Sequence, residues 1–482
     1  MRIFKYLYIT LLILSFGCTD DFEDMNKKPD GLVEVNNPNY LLLSSLTRGY
    51  SDSFQRATNL YHDLYSQHLA NLVTDFDTGF YLHHDAWIMS KWRNFYSRYI
   101  IKNALYIEEL YNKDPRNNNV YQVSQIWKYF MTSIMVDTWG DIPYSEAGKG
   151  GYSVKYDDAE TIYRTLIDGL ADAAQSFKDD ESQIEIDATY DPVYGGDIEK
   201  WKKFANTIRA RLALRMVNFD AEYSKKNVVE ALNNGCILNN SENCYSPCDG
   251  TKVKNKYKNF AGWKDKAMSK TIENILKNES NVVDPRMKLW FAKASGDYVG
   301  IENGYPSPTK SPEKWSILNK KYWTFDMPFP IALASDTKFI MAEAVLRGWI
   351  SGDIKDLVDE GILDNMEFWG VDGNEAEEYV NNLNALPGDN EGKLKYIITQ
   401  RWLAHFCNGH EGWAVARRTD YPALQPPLLN LSNTVPDGSL IKRLLYIESE
   451  HQLNDQIPVS ANEDSQNEQI FWDTSNDAPN NF

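Results

Sequence analysis

Trp201-Lys202-Lys203-Phe204-Ala205-Asn206-Thr207-Ile208-Arg209-Ala210-Arg211-Leu212-Ala213-Leu214-Arg215-Met216 is the stretch whose reading decides the fold. Trp201, Phe204, Ile208, Leu212, Met216 and then Phe219 recur at steps of three and four, one apolar stripe on an α-helix, with Arg209, Arg211 and Arg215 set between them. The same spacing runs through Val120, Val123, Ile126, Trp127, Phe130 and Ile134, and through Ile162, Leu166, Leu170, Ala173 and Phe177. Ser335 to Gly348 is apolar almost all round (Phe339, Ile340, Met341, Ala342, Ala344, Val345), the pattern of a central helix. Residues 353–369, 374–385, 391–407 and 438–452 read as further helices. Period-two alternation is scarce, and Ser182–Ala188 is a short strand candidate. The fold class is therefore mainly α. Helices follow one another in pairs with short connections, such as 89–112 with 118–137. The expected architecture is a tetratricopeptide-like array of helix pairs with degenerate repeats. Long irregular loops rich in Gly, Pro, Asn, Trp and Tyr fall at 71–90, 138–156, 239–263 and 295–333. Irregular stretches of that length in a compact protein are usually functional.

The 482 residues are 43% hydrophobic and 24% charged, which excludes a disordered chain and permits a sizeable core. A net charge of −18 disfavours nucleic acid as a partner, because such a surface repels phosphate backbones. The 14 Trp and 29 Tyr exceed what Phe alone would supply for a core, and both residue types suit surfaces that bind while wet.

Residues 1–17 (MRIFKYLYITLLILSFG) have a basic start, Arg2 and Lys5, and an apolar run from Tyr6 to Phe16 too short to span ~30 Å of hydrocarbon. This is a signal peptide. Leu14-Ser15-Phe16-Gly17-Cys18 resembles a bacterial lipobox, with Phe16 bulkier than the usual residue there. It marks Cys18 as the lipidation site. Cleavage before Cys18 removes Arg2 and Lys5 and takes the net charge from −18 to −20. Thr19-Asp20-Asp21-Phe22-Glu23-Asp24 follows, and residues 18–39 read as a lipidated flexible tether. Residues 40–482 read as a single α-helical domain.

Catalytic chemistry finds little support. HExxH, Walker A, GxGxxG and GxSxG patterns are missing from the sequence. Asp75-Phe76-Asp77-Thr78-Gly79 hints at a calcium loop, but its Gly comes one position early and Ala86 stands where a bidentate Glu is needed. His83-His84-Asp85 offers metal-ligating types on adjacent positions whose side chains diverge. Cys236, Cys244 and Cys248 are close in sequence and Cys407 is distant; an exported protein permits a disulfide, and the spacing does not choose a pair. No catalytic residue, metal or cofactor is assigned.

Several segments together resemble the SusD/RagB-type nutrient-binding outer-membrane lipoproteins of Bacteroidetes, specifically the SusD-like group. They are Asp137-Thr138-Trp139-Gly140-Asp141-Ile142-Pro143-Tyr144-Ser145-Glu146-Ala147; Trp201 to Met216; Tyr298-Val299-Gly300-Ile301-Glu302-Asn303-Gly304, with Glu302 in place of the usual Pro; and Phe339 to Trp349. Glu411-Gly412-Trp413 with Arg417-Arg418-Thr419-Asp420-Tyr421-Pro422, where Asp420 replaces Gly, Arg443-Leu444-Leu445-Tyr446 with Glu450, and Phe471-Trp472-Asp473 complete the set. These segments read as scaffold: Gly140 and Pro143 end a helix, and Arg417 and Arg418 beside Glu411 are expected to fix a turn by ion pairing.

The resemblance implies a non-enzymatic lipoprotein of the outer membrane that faces the cell exterior. It would act as a lid on a SusC-like TonB-dependent transporter, capturing an oligomeric nutrient, most often a glycan and sometimes a peptide, and passing it to the barrel. A surface-anchored glycoside hydrolase and a structural surface protein that binds only other proteins are the alternatives from other classes. The expected ligand contacts lie on two loops. The first holds Phe80, Tyr81, His83, His84 and Trp87; the second holds Tyr298, Tyr305, Trp315, Tyr322 and Trp323. Trp315 and Tyr81 sit among polar residues and rank first, with Trp87, Tyr322 and Trp323 behind them.

Overall fold

The computed structural model describes residues 36–151 and 153–473. The signal peptide, Cys18 and most of the tether lie outside the described residues. Helix α1 runs Pro38–Ser51, beginning two residues inside the expected tether. Pro fits the first turn because its missing N–H has no intrahelical partner there, and Pro38 and Asn39 are already buried.

A nearly continuous helical rod follows at residues 85–113. Its middle, Lys91–Ile101, is a π-helix, and α2 (Lys102–Lys113) completes it. Next come α3 (Asn118–Trp139), α4 (Ala159–Gln175), α5 (Ile198–Arg215) and α6 (Ala221–Asn233), each packed on its predecessor. After the long loops, α7 (Ala334–Leu346), α8 (Ile354–Trp369), α9 (Gly373–Asn381), α10 (Asn390–Ala404) and α11 (Gly409–Thr419) form the second helical group. The architecture is the tetratricopeptide-like stack of pairs read from the sequence. Part of the acid surplus goes into helix starts: Asp158, Asp197, Asp220, Asp353, Asp372 and Asp389 each accept a backbone N–H at an N-cap, where a carboxylate also meets the positive end of the helix dipole.

The core is contiguous across both groups, and α7 crosses it as the sequence predicts. What periodicity did not show is how much charge this core holds. Arg211 and Arg401 meet on Asp336, with Arg211 Nε 2.9 Å and Arg401 Nε 2.7 Å from its oxygens. Arg418 grips Glu343 with two bonds of 2.8 and 2.6 Å, and Arg347 adds a third at 2.9 Å. Burial alone would raise the Glu343 carboxyl, but Arg418 and Arg347 outweigh it and hold it at about 2. Glu411 is held at about 2 in the same way, against burial, by Arg215 and Arg211. Arg417 and Arg418 therefore do not pair with Glu411. Arg418 takes Glu343, and Arg417 donates to the Lys442 and Asp137 carbonyls while its plane lies 3.6 Å over the Trp413 ring. Asp420 adopts φ 57°, in the left-handed region that favours glycine and that Asp enters more readily than most other residues.

Two expected elements are different. Residues 438–447 are irregular and only Glu448–Leu453 is helical. Their backbone groups bond across the fold instead, Lys442 N to Gln466 O at 2.8 Å and Leu444 N to Thr138 O at 2.9 Å. Ser182–Ala188 is not a strand; Asp180 and Asp187 accept local N–H groups and turn the chain. The strands present are short: β1 (Leu69–Asn71) pairs antiparallel with β3 (Lys266–Met268), and β2 (Cys244–Tyr245) with β4 (Pro330–Ala332). Cys236, Cys244, Cys248 and Cys407 are all free thiols. Among the described residues no helix is long and apolar enough to cross a membrane.

Candidate functional site

The β1–β3 ribbon is the platform on which the two expected loops meet. Its register is Leu69↔Met268, Ala70↔Ala267 and Asn71↔Lys266. The first loop leaves from β1. The second is anchored to the β3 side at both ends of its central arc: Ile301 N bonds Met268 O at 3.0 Å, and Met268 N bonds Ser316 O at 2.8 Å. Ala70, Leu72, Ala267, Ile301 and Ile317 form a small buried cluster beneath it, with Tyr305 and Trp315 packed half-buried on top. Those two rings meet edge to face at 5.8 Å, and Glu302, Ser307, Thr309 and Lys310 of the same loop are exposed.

A third segment, 425–431, joins the loops through main-chain bonds. Gln425 N and O both bond the Gln67 side chain, at 3.1 and 2.6 Å. Leu428 N and Leu429 N bond the carbonyls of Asn303 and Gly304, each at 3.0 Å, and Leu431 N bonds Phe80 O at 2.8 Å. Gly304 has φ 71°, and a Cβ there would lie 2.5 Å from Pro427 Cβ, so the close approach of these strands requires glycine. Asn303 fixes the arc from below, donating to the carbonyls of Leu64 and Leu69 at 3.2 and 3.0 Å. The Tyr298–Gly304 motif is thus the hinge pin of the loop face.

On the first loop, Asn71 Nδ2 donates to the carbonyls of Val73 and Phe76, both at 2.7 Å, and closes a tight turn. Phe76 lies under the Lys266 ammonium, 5.0 Å from ring centre to nitrogen, and edge-on to Trp87 at 5.9 Å. Burial pulls Lys266 below the ordinary lysine range despite the neighbouring Asp265. His84 stacks on Trp87 at 4.1 Å and contacts Asp77. Asp77 is therefore committed to His84, and His83 faces Asp85 at 3.8 Å. Among the described residues no group of three or more His, Cys, Asp or Glu is placed to hold a metal ion.

The expected binding residues divide. Trp315, Tyr305, Trp87, Tyr298 and Tyr322 keep part of their surface in solvent. Trp323 is 0% exposed, enclosed by Tyr257, Trp369 and Phe406. Tyr81 and Phe80 are also buried; Tyr81 packs edge-on to Tyr65 at 5.5 Å and lines a chamber of about 230 Å³ with Tyr65 and Trp413. Tyr322 lies away from the ribbon, with its hydroxyl on the Trp369 carbonyl. Trp263, 49% exposed at the end of the short helix Lys256–Trp263, and Leu428, 59% exposed on the joining segment, are two exposed apolar groups that sequence reasoning did not single out. The signals were there: Tyr257, Phe260 and Trp263 at steps of three after a capping Asn255, and Pro426-Pro427, which forces an extended run.

A family model for the SusD-like proteins, described as starch-binding and associating with the outer membrane, matches residues 30–446, and the chain belongs to that family. The fold is shared with a SusD homolog from Bacteroides vulgatus ATCC 8482 (24% identity, 92% of this chain and 98% of that one, TM-score 0.79). It is likewise shared with a SusD homolog from Parabacteroides distasonis ATCC 8503 (22%, 91% and 98%, 0.80). A chitin-binding SusD homolog from Flavobacterium johnsoniae is similar at 24% identity, covering 92% and 98%, with TM-score 0.76. No curated protein sequence matches this chain.

Proposed function

We propose that this protein is a lipid-anchored nutrient-binding component of the outer membrane that captures an oligomeric glycan at the ribbon-mounted loop face and hands it to a SusC-like TonB-dependent transporter. The observation that carries the reading is the Tyr305–Trp315 pair. It is partly exposed, packed against a buried aliphatic cluster, and carried on a loop whose Glu302, Ser307, Thr309 and Lys310 are exposed and able to take hydroxyls. A pyranose presents an apolar face that stacks on such rings and an equatorial rim that hydrogen-bonds to neighbours. Trp87 supplies a further half-exposed ring on the first loop, and Tyr322 a more distant one. Family membership and the chitin-binding relative support a glycan as ligand class. The role is binding without turnover.

Titration of the mature protein against starch- and chitin-derived oligosaccharides by calorimetry tests the reading, with Trp315→Ala as the diagnostic variant. Affinity should fall while the melting temperature stays; binding of every oligosaccharide unchanged in Trp315→Ala would refute this face. Cys18→Ala should abolish palmitate labelling and release the protein from outer membranes. Affinity purification in mild detergent should recover a β-barrel transporter with the wild type.

A further inference from the structure

A cleft of about 870 Å³ is lined by the helical rod, by Pro143, Ala147, Gly148 and Val154, and by Ser449, Glu450, Leu453 and Asn454. Arg93, Arg98 and Lys102 line one side of it and are exposed. Among the described residues none of the three has a carboxylate at ion-pair distance; Arg98 and Lys102 lie against the rings of Tyr99 and Tyr106 at 5.3 and 6.0 Å. The π-helical stretch Lys91–Ile101 explains their grouping. Its i→i+5 pitch brings residues five apart onto one side, so Arg93 stands in line with Arg98 instead of rotating away as in an α-helix. The two acids at the cleft are already engaged: Glu109 holds Lys113 at 2.7 Å, and Glu450 accepts from Tyr156 Oη at 2.9 Å and Asn454 Nδ2 at 3.1 Å. Three cations without a carboxylate partner thus share one cavity with one uncompensated carboxylate, Glu450, in a chain of net charge −18.

The floor is apolar and mixed, with Trp92, Tyr96 and Tyr106 beside aliphatic side chains. Ile101, Leu105, Pro143, Ala147 and Val154 line it, and Leu453, 71% exposed, stands at its edge with the 49% exposed ring of Tyr106. Such a floor suits branched and aromatic side chains. The volume lies within the ~300–1,000 Å³ of ligand pockets and is small for a protein–protein interface.

We propose that this cleft binds a short free peptide in which Asp or Glu residues alternate with apolar ones, the carboxylates taken by Arg93, Arg98 and Lys102 and the apolar side chains by the Leu105–Leu453 floor. Guanidinium–carboxylate pairing of this kind is bidentate and salt-sensitive.

The test is fluorescence anisotropy of the mature full-length protein with a labelled Asp-Leu-Glu-Phe-Asp-Leu hexapeptide. Saturable binding is expected, at least ~10-fold weaker in the Arg93→Gln/Arg98→Gln double variant and at least ~10-fold weaker for the Asn/Gln analogue of the peptide. Melting temperature should be unchanged in that variant, because both side chains are exposed. Lys225→Gln, an exposed cation on α6, should leave binding as in the wild type, and so should Trp315→Ala, which separates this site from the glycan face. No saturable binding, binding that survives the double variant, loss of peptide binding in Trp315→Ala, or equal competition by an oligogalacturonide, which has carboxylates but no apolar side chains, would each overturn the proposal.

Discussion

Around α7 and around the β1–β3 ribbon the protein uses polar groups in opposite ways. Near α7 it buries whole charges: Asp336, Glu343 and Glu411 lie among Arg211, Arg215, Arg401 and Arg418, all enclosed. At the ribbon it buries one lysine, Lys266 beside Asp265, and fixes position mainly with backbone hydrogen bonds, while aromatic rings stay partly uncovered. A buried ion pair tolerates no vacancy, because the partner left behind is an uncompensated charge in a poorly polarisable medium. A backbone-anchored loop tolerates many side chains. The first region should therefore govern stability and the second affinity.

The largest effect is expected from Arg418→Ala. It strips Glu343 of both its bonds from that guanidinium and should cost about 3–5 kcal/mol of unfolding free energy, read by urea denaturation. Trp323→Ala should cost a comparable ~3–5 kcal/mol by opening a cavity, with ligand affinity unaltered. An intact melting temperature in either variant would erase the contrast between the regions.

Acid sharpens it further. Glu343 and Glu411 have folded values of about 2, below the ordinary 4.5. A depressed carboxylate pKa stabilises the fold above the unfolded value, and that contribution disappears as pH falls through the folded one. Stability should decline between about pH 4.5 and 2. The gap between wild type and Glu343→Gln should be widest at neutral pH and close toward pH 2, which denaturation series at stepped pH will show.

Smaller effects belong to the loop face. Trp315→Ala should lower glycan affinity by about 1–2 kcal/mol, roughly 5- to 30-fold, at constant melting temperature. Trp263→Ala and Leu428→Ser should change stability by no more than ~0.5 kcal/mol, since both side chains are largely in water. A drop in affinity in either would extend the face beyond the Tyr305–Trp315 pair.

The helices were legible because one buried face leaves a periodic trace: α5, α7 and α8 begin within a few residues of where their apolar stripes do. Residues 438–447 misled because their apolar side chains are buried by long-range backbone pairing, which has no period. The site was half legible. Composition pointed to these loops, and Trp315 and Trp87 do reach solvent, but the same richness in aromatics included Trp323 and Tyr81, which are buried. Ring exposure depends on which neighbours fold over a residue, and those neighbours, such as Trp369 and Phe406 over Trp323, are distant in sequence. The pairing of Arg418 with Glu343 was equally hidden; charge alone suggested Glu411, the nearer acid in the chain.

The joining segment 425–431 carries a consequence for how such a protein can diversify. Its links to Asn303, Gly304 and Phe80 run through amide and carbonyl groups that every residue except proline provides in full. Side chains at Leu428, Leu431 and Glu302 can therefore be exchanged without loosening the loops that present them, whereas Gly304 and Asn303 cannot. Side chains presented by this face can change by point substitution while the frame holding them stays the same, so a new binding preference need not pass through an unstable protein.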